Sequence, residues 1–516
     1  MAIAAALLFT LVVFKQAWIS DDALLIARTV ANWLAGYGPY VNIGEAAQAF
    51  TSPLWFVMTA GASWIARDIL VTLIAMGVLT AGFAVYFLAR DLKHWWQAVL
   101  LMIPLMSSFA IMDFTTGGLE NPLLFLLIVI AWHQARRQRL VSSVLAMGLL
   151  VLTRFDMAFL AMPAVAFVAR EVWRRDRKRL PHLIFAAFTP LVGWFAFSLV
   201  TYGSIFAETA PAKLNLLIPR RELLSQGVGY LVESFHGDWV TLGLVIFAAA
   251  GFFFRSVTGF SKSLVLGAFF YLLYVVWVGG DFMIGRFVFV PAVVGLVVLA
   301  EVLSGKAHDL LQEHVTASAT PTNPGRVTSV LTAVALLGAV LLFQGGLHPV
   351  TEHPIRTATR WSSADPLHLG IADERRVYVQ GGYSLWNWLL MEPYENKFAV
   401  LRSALRDWPS GREVDEVRIK CGGFGTASIL AGPQVHFVDP CGKADPFLAR
   451  RPFEANKGRW RIGHFWREIP EGYIEALVSG DARLLDDSHR DAFTEISLAR
   501  RVDSRWPDDP ALVEIP

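Results

Sequence analysis

Long apolar runs separated by short charged loops fill the first two-thirds of this 516-residue chain, and charge divides sharply between that region and the rest. Residues 1–346 contain 41 Asp, Glu, Lys and Arg, and residues 347–516, half as long a stretch, contain 47. A soluble globular chain carries roughly 25% charged residues, and only the second part reaches that level. Two solvents are implied. The pattern predicts an α-helical polytopic membrane domain over 1–346 and a soluble α/β domain over 347–516.

Apolar runs recur at 1–18, 69–89, 95–112, 122–135, 140–153, 157–169, 183–203, 239–254, 264–279, 287–303 and 327–346, about eleven spans in all. Several are shorter than the ~20 residues that cross a ~30 Å hydrocarbon core and need their polar flanks. The first run lacks a basic leading region and a small-residue cleavage site before Ser20, so it reads as a retained span, not a signal peptide. Loops rich in Lys and Arg stay on the cytoplasmic side. The densest are Arg136, Arg137 and Arg139, and then Arg170 through Arg179. Alternation from these puts the amino terminus in the cytoplasm. It puts residues 19–52, 113–121, 154–156, 204–238, 279–286 and everything after 347 on the periplasmic or extracellular face. Residues 53–66 are apolar, but counting them as a span breaks this parity, so they read as a juxtamembrane or re-entrant helix. Residues 304–326 read as a flexible cytoplasmic linker.

The formal net charge of +2 and the absence of a basic, aromatic-interleaved tract argue against nucleic-acid binding. The two cysteines, Cys421 and Cys441, are too few for a four-thiolate zinc site, and the histidines lack ligand spacing. A disulfide between the two is open to the chain if that domain faces an oxidising compartment.

Ionisable residues at or near membrane depth are costly and mark functional sites. Here the mixed charges fall on the outer face: Asp21, Asp22, Glu120, Arg154, Lys213, Asp281 and Arg286 are prominent among them. Adjacent carboxylates beside a low-dielectric surface raise at least one pKa, and such a group can accept a proton from a hydroxyl. The alternative is that Asp21 and Asp22 merely cap the helix beginning near Ala23. Arg154, Lys213 and Arg286 suit a lipid phosphate; the alternative is internal ion pairing, Arg154 with Asp156 or Glu120 and Arg286 with Asp281. A hard divalent cation on the loop carboxylates is conceivable chemistry, though nothing in the sequence requires it.

Several segments match a known pattern in order: SDDALLIARTVANWLAGYGPYVNIGEAAQAFTSPLW, TTGGLENPLLF, LTRFDM, YGSIFAETAPAKLN, VGGDFMIGRFVFVP, VDPCGKADPFLAR and RWRIGHFWREIPEGY. Together they resemble the GT-C class of polyprenyl-phosphate-sugar-dependent glycosyltransferases, and within it the terminal arabinofuranosyltransferase family of mycobacterial and corynebacterial cell-wall synthesis. Two segments depart from that family: Arg-Phe-Asp stands where a proline is usual, and Glu-Thr-Ala-Pro where Pro-Asn-Thr is common. The resemblance implies an inner-membrane enzyme with its site on the outer face. Asp21 or Asp22 would be the base and a polyprenyl-phosphate sugar, D-arabinofuranose by family, the donor. Arg154, Lys213 and Arg286 would then contact the donor phosphate, and Glu120 and Asp281 the sugar hydroxyls.

The same resemblance implies that the carboxy-terminal domain helps bind a glycan or glycolipid acceptor. RRVYVQGGY and QVHFVDP read as strands and SLWNWLLME as a helix. On an oxidising face Cys421 and Cys441 would close a loop of about 20 residues worth about 3 kcal/mol; the alternative is two free thiols. Two other classes compete: a transporter, against which stand the one-sided charges and the lack of repeat symmetry, and a non-catalytic assembly factor on a transferase fold.

Overall fold

The computed structural model describes residues 1–305, 370–386, 396–411, 413–454, 460–501 and 511–514. The expected span at 327–346, nearly all of the 304–326 linker, the 346/347 boundary and most of SLWNWLLME lie outside the described residues.

The amino-terminal part is helical: α1 (Ala2–Lys15), α2 (Asp21–Leu34), α3 (Pro53–Ala66), α4 (Ile69–Ala89), α5 (Trp95–Ser107), α6 (Phe109–Thr115), α7 (Asn121–Arg136), α8 (Leu140–Thr153), α9 (Ala158–Arg175), α10 (Leu180–Tyr202), α11 (Thr209–Leu214), α12 (Arg220–His236), α13 (Trp239–Gly251), α14 (Gly259–Trp277) and α15 (Phe289–Ser304). Among the described residues three helices are long and apolar enough to cross a membrane: α4, α10 with its preceding turn, and α14. Two bent pairs, α5–α6 at 75° and α12–α13 at 110°, raise this to five if each is one span; α1, α3, α8 and α15 are apolar but shorter. The break between α5 and α6 has a local cause. Ser108 leaves the helical region (φ −74°, ψ 117°), and its hydroxyl accepts from the Ile111 amide to start α6.

Several helices fall where the apolar runs predict, α4 and α8 with the same limits, and residues 53–66 form a single helix, α3. Within the expected outer loop 204–238 the structure instead has α11 and the 17-residue α12, which turns Leu223, Gly227 and Tyr230 inward. Its mixed polar and apolar residues carry no continuous apolar run, so the run read from the sequence begins only at 239, in α13.

The carboxy-terminal part adds α16 (Glu374–Gln380), α17 (Lys397–Arg406), β1 (Glu416–Ile419), α18 (Phe424–Ala431), β2 (Val435–Val438), α19 (Pro446–Arg450), α20 (Tyr473–Ser479), α21 (Asp487–Ile496) and β3 (Ala511–Glu514). The strands form a parallel sheet in the order β2-β1-β3. QVHFVDP supplies β2 as expected. RRVYVQGGY does not form a strand: Asp373 accepts from the Arg376 amide and the segment becomes α16. A local side-chain cap here overrides the β propensity of Val377, Tyr378 and Val379.

This part is threaded into the loops of the helical part. Single β-bridges join Trp18 to Ser384, Glu45 to Arg501, Leu216 to Phe453 and Met283 to Ala372. One apolar cluster draws Leu25, Val41 and Ala49 together with Phe424, Val435 and Phe437.

Candidate active site

The predicted outer loops and parts of the carboxy-terminal segment enclose one cleft of about 1260 Å³, including its open mouth. Asp22, Glu120, Arg154, Lys213, Asp281 and Arg286 all line it. Indole donors fix one side: Trp18 Nε1 donates to the Asp113 carbonyl at 2.7 Å and Trp55 Nε1 to the Gly118 carbonyl at 3.0 Å. On the other side the Tyr230 hydroxyl donates to the Met283 carbonyl and accepts from the Phe287 amide, which holds the loop carrying Asp281 and Arg286. Gly280 opens that loop with φ of +78°, and a Cβ there would strike the Tyr230 side chain.

Asp21 is the sequence candidate that does not line the cleft. Its carboxylate accepts from the amides of Gly425 and Thr426 at 2.9 and 2.8 Å and from the Thr426 hydroxyl at 3.0 Å, docking the start of α18 onto the start of α2. A Cβ on Gly425 would collide with the Asp21 carbonyl, so glycine permits the approach. Neither aspartate is the cap of α2; Ser20 is, accepting from the Ala23 amide, and the two acids occupy the first turn. Burial raises the Asp21 pKa, with Asp22 adding to it and the two amides and Lys443 opposing.

Asp22 faces the cleft with its side chain 33% accessible. Its Oδ2 accepts from Arg286 Nη1 at 3.0 Å. Arg286 Nη2 also reaches Glu120 Oε1 at 3.4 Å, and Arg154 Nη1 donates to the same oxygen at 2.8 Å. Arg154 then forks onto Asp156 at 3.0 and 2.7 Å. The internal pairings named as alternatives are therefore present, and they run along the wall of the cleft. Burial favours neutral Glu120, but the two guanidiniums outweigh it and hold the carboxyl below its ordinary range. Asp281 is raised by burial, with Arg286 and Lys213 opposing; its Oδ2 lies 3.7 Å from Arg286 and accepts no hydrogen bond.

Four cations and four carboxylates line the cleft. Two of the cations, Lys213 and Lys443, form no ion pair among the described residues. Desolvation within the protein, with Arg154 and Arg286 adding, pushes the Lys213 ammonium down while Asp281 and Asp22 oppose, although the residue itself stays exposed to solvent. An anion arriving beside it would restore the ordinary balance of charge. Phe50, Phe155, Phe206, Phe282 and Phe287 supply apolar wall. Lys443 and this aromatic lining were not foreseen as site features; the aromatics are scattered singly across loops and give no pattern.

Among the described residues the one close grouping of metal-ligating types is Cys421, Asp439 and Cys441. The two sulfurs are bonded to each other, with the Cα atoms 5.5 Å apart, so only Asp439 has a ligand atom to offer. Asp21 and Asp22 do not converge on one point, because both Asp21 oxygens are already engaged.

Glu374, behind the cleft, is pushed up to about 8 by burial, with Arg461 opposing and Asp22, Asp21 and Asp281 reinforcing. A carboxyl raised on folding stabilises the fold below its unfolded pKa, and that contribution is lost as pH rises through the folded value. Glu374→Gln is therefore expected to match wild type near pH 4, below the unfolded value, and to gain on it progressively as pH rises, by several degrees in Tm toward pH 8. A Tm difference between the two proteins that stays flat across that range would refute the shift.

No family model matches this chain. It is 29% identical over 238 residues to the terminal β-(1→2)-arabinofuranosyltransferase of Mycobacterium tuberculosis, covering 41% of this chain and 37% of that protein. It is 27% identical over 327 residues to the protein of the same name from Corynebacterium glutamicum, covering 54% and 47%. The chain thus spans at most about half the length of the curated relatives it matches, and the resemblance read from the motifs is to the same family. Among solved structures, ArnT from Cupriavidus metallidurans bound to undecaprenyl phosphate aligns over 88% of this chain and 89% of its own, at 15% identity and a TM-score of 0.45.

Proposed function

We propose that this chain is a multi-span inner-membrane glycosyltransferase that moves a sugar, D-arabinofuranose by its similarity to the arabinofuranosyltransferases, from a polyprenyl-phosphate donor to a cell-envelope glycan on the periplasmic face. The observation that carries this reading is the single cleft in which an accessible carboxylate, Asp22, stands beside Arg286, Arg154 and Lys213. Residues 1–346 form the catalytic membrane part with its amino terminus in the cytoplasm, and residues 347–516 form a periplasmic part that helps seat the acceptor.

The chemistry follows from the charges. An acceptor hydroxyl must lose a proton as its oxygen bonds to the sugar carbon, and the lipid phosphate must depart as an anion. Asp22 Oδ takes the proton. Lys213, lacking an ion pair, takes a phosphate oxygen, and the guanidiniums of Arg286 and Arg154 stabilise the charge that develops there. Glu120 keeps both guanidiniums in place, and Asp281 and Asp156 are placed to accept from sugar hydroxyls. The aromatic walls exclude water and strengthen these interactions.

The test is incubation of purified protein with synthetic polyprenyl-phosphate-arabinofuranose and short glycan acceptors, with product mass as readout. A gain of one pentose is expected. Lys213→Met is expected to raise the donor KM roughly 10- to 100-fold, about 1.4 kcal/mol per decade, with the acceptor KM unchanged. No pentose gain together with no binding of the lipid donor would favour the transporter or assembly-factor reading.

A further inference from the structure

The second unpaired cation of the cleft comes from a different part of the chain. Lys443 follows the disulfide-bonded Cys441 by two residues, and its Nζ donates to the carbonyl of Cys421, the other half of the disulfide, at 2.9 Å. Its backbone is held independently. The carboxylate of buried Asp439 accepts from the amides of Cys441, Lys443 and Ala444 at 3.0, 2.6 and 3.0 Å. Gly442, at φ +71°, packs so closely on the Ala449 backbone that a Cβ would lie 2.6 Å from its Cα. A lysine needed only to cover surface would not require a turn this constrained.

An ammonium has three N–H donors. The Cys421 carbonyl takes one, no other described residue takes the remaining two, and Lys443 lines the same cleft as Asp22. The direction of approach matters. Arg286 and Arg154 reach the cleft from the Glu120 side, Arg286 touching Asp22 directly. Lys443 arrives from the α18 side, through Cys421, three residues before the helix whose first turn Asp21 holds. Asp22 and Lys443 therefore line one cleft from separate parts of the chain, and Arg286 is the cation that touches Asp22. Lys443 opposes the burial-driven rise of Asp21 and Asp439, Lys213 opposes that of Asp281, and both add to the burial-driven fall of His464.

We propose that Lys443 is a substrate-binding residue of the cleft, donating from Nζ to a hydroxyl oxygen of the incoming acceptor sugar and setting that sugar's attacking hydroxyl against Asp22. This rests on the transferase reading above and adds to it the acceptor side of the site. A sugar presents several hydroxyls that each accept as well as donate. A charged donor fixed at its base by a disulfide-closed loop orients such a group at low entropic cost.

The experiment uses full-length protein in detergent with the polyprenyl-phosphate-arabinofuranose donor, and follows both transfer to a short arabinan acceptor and release of free pentose to water. Lys443→Met is expected to raise the acceptor KM at least tenfold while the donor KM and the release to water stay within twofold of wild type; Lys443→Arg is expected to recover most of the loss. If the methionine protein does not fold, Lys443→Gln, which keeps an N–H for the Cys421 carbonyl, gives the same comparison. Donor and acceptor terms that worsen together with a fall in Tm would make Lys443 a structural staple and overturn the proposal. An unchanged acceptor KM with normal donor turnover would overturn it too, leaving the transferase reading intact. If the wild type neither transfers nor releases pentose, both readings fall together.

Discussion

Replacing Asp22 with asparagine is expected to lower the rate of sugar transfer roughly 10²- to 10⁴-fold, the range for loss of a general base, while donor affinity and Tm change little. The asparagine amide is nearly the same size and remains beside Arg286, but it has no lone pair basic enough to take the hydroxyl proton. Asp21→Asn should behave in the opposite way. Its carboxylate accepts from two amides and a hydroxyl, and an amide group turns at least one of those contacts into donor against donor. The cost is about 1–3 kcal/mol of stability, seen as a lower Tm and earlier proteolysis of α18, with transfer reduced only as far as the docking of that helix is lost. Measuring kcat and Tm for both variants separates the neighbours: equal kcat losses at equal Tm would show that the two acids act as one unit.

Glu120→Gln is expected to give the largest loss of stability of any single change in the cleft, about 3–5 kcal/mol. The Glu120 side chain is 1% accessible, and one of its oxygens serves both Arg154 and Arg286. With the carboxylate gone, two buried guanidiniums face each other with only Asp156, Asp281 and Asp22 to compensate, and Arg286 is drawn further onto Asp22. Transfer should therefore fall as well, through a base more tightly paired than before. Chemical denaturation of the variant in detergent, compared with Asp156→Asn at the far end of the Arg154 fork, would check this. A Glu120→Gln protein as stable as wild type would mean that the pairs contribute nothing beyond their own desolvation.

The sequence made the helical part legible because apolar runs need no tertiary information to be read, and several of those runs became helices. Six of the seven candidate polar residues, read from loops expected to share one face, line one cleft, as neighbouring loops of a bundle would bring them together. What stayed hidden was angular and long-range. Successive residues of a helix point about 100° apart, so Asp21 and Asp22 face different partners, and no local pattern says which one faces the cleft. Lys443 lies more than 400 residues from Asp22, and only the folded chain brings its turn to the cleft. The error over RRVYVQGGY came from weighing β-branched residues above the aspartate that precedes them.

The threading of the last third of the chain through the first has a consequence for how the protein can vary. Composition marks a border near residue 346, yet Asp21 ends on Thr426, Glu208 pairs with Arg450 and Arg500, and Arg467 closes on the Ala212 carbonyl. Neither portion presents a finished surface to the other. A terminal portion from a relative could not be grafted on without bringing its own loops with it. Recombination, whether natural or engineered, would have to cut within the joined segments together, and the cleft would be inherited whole or lost.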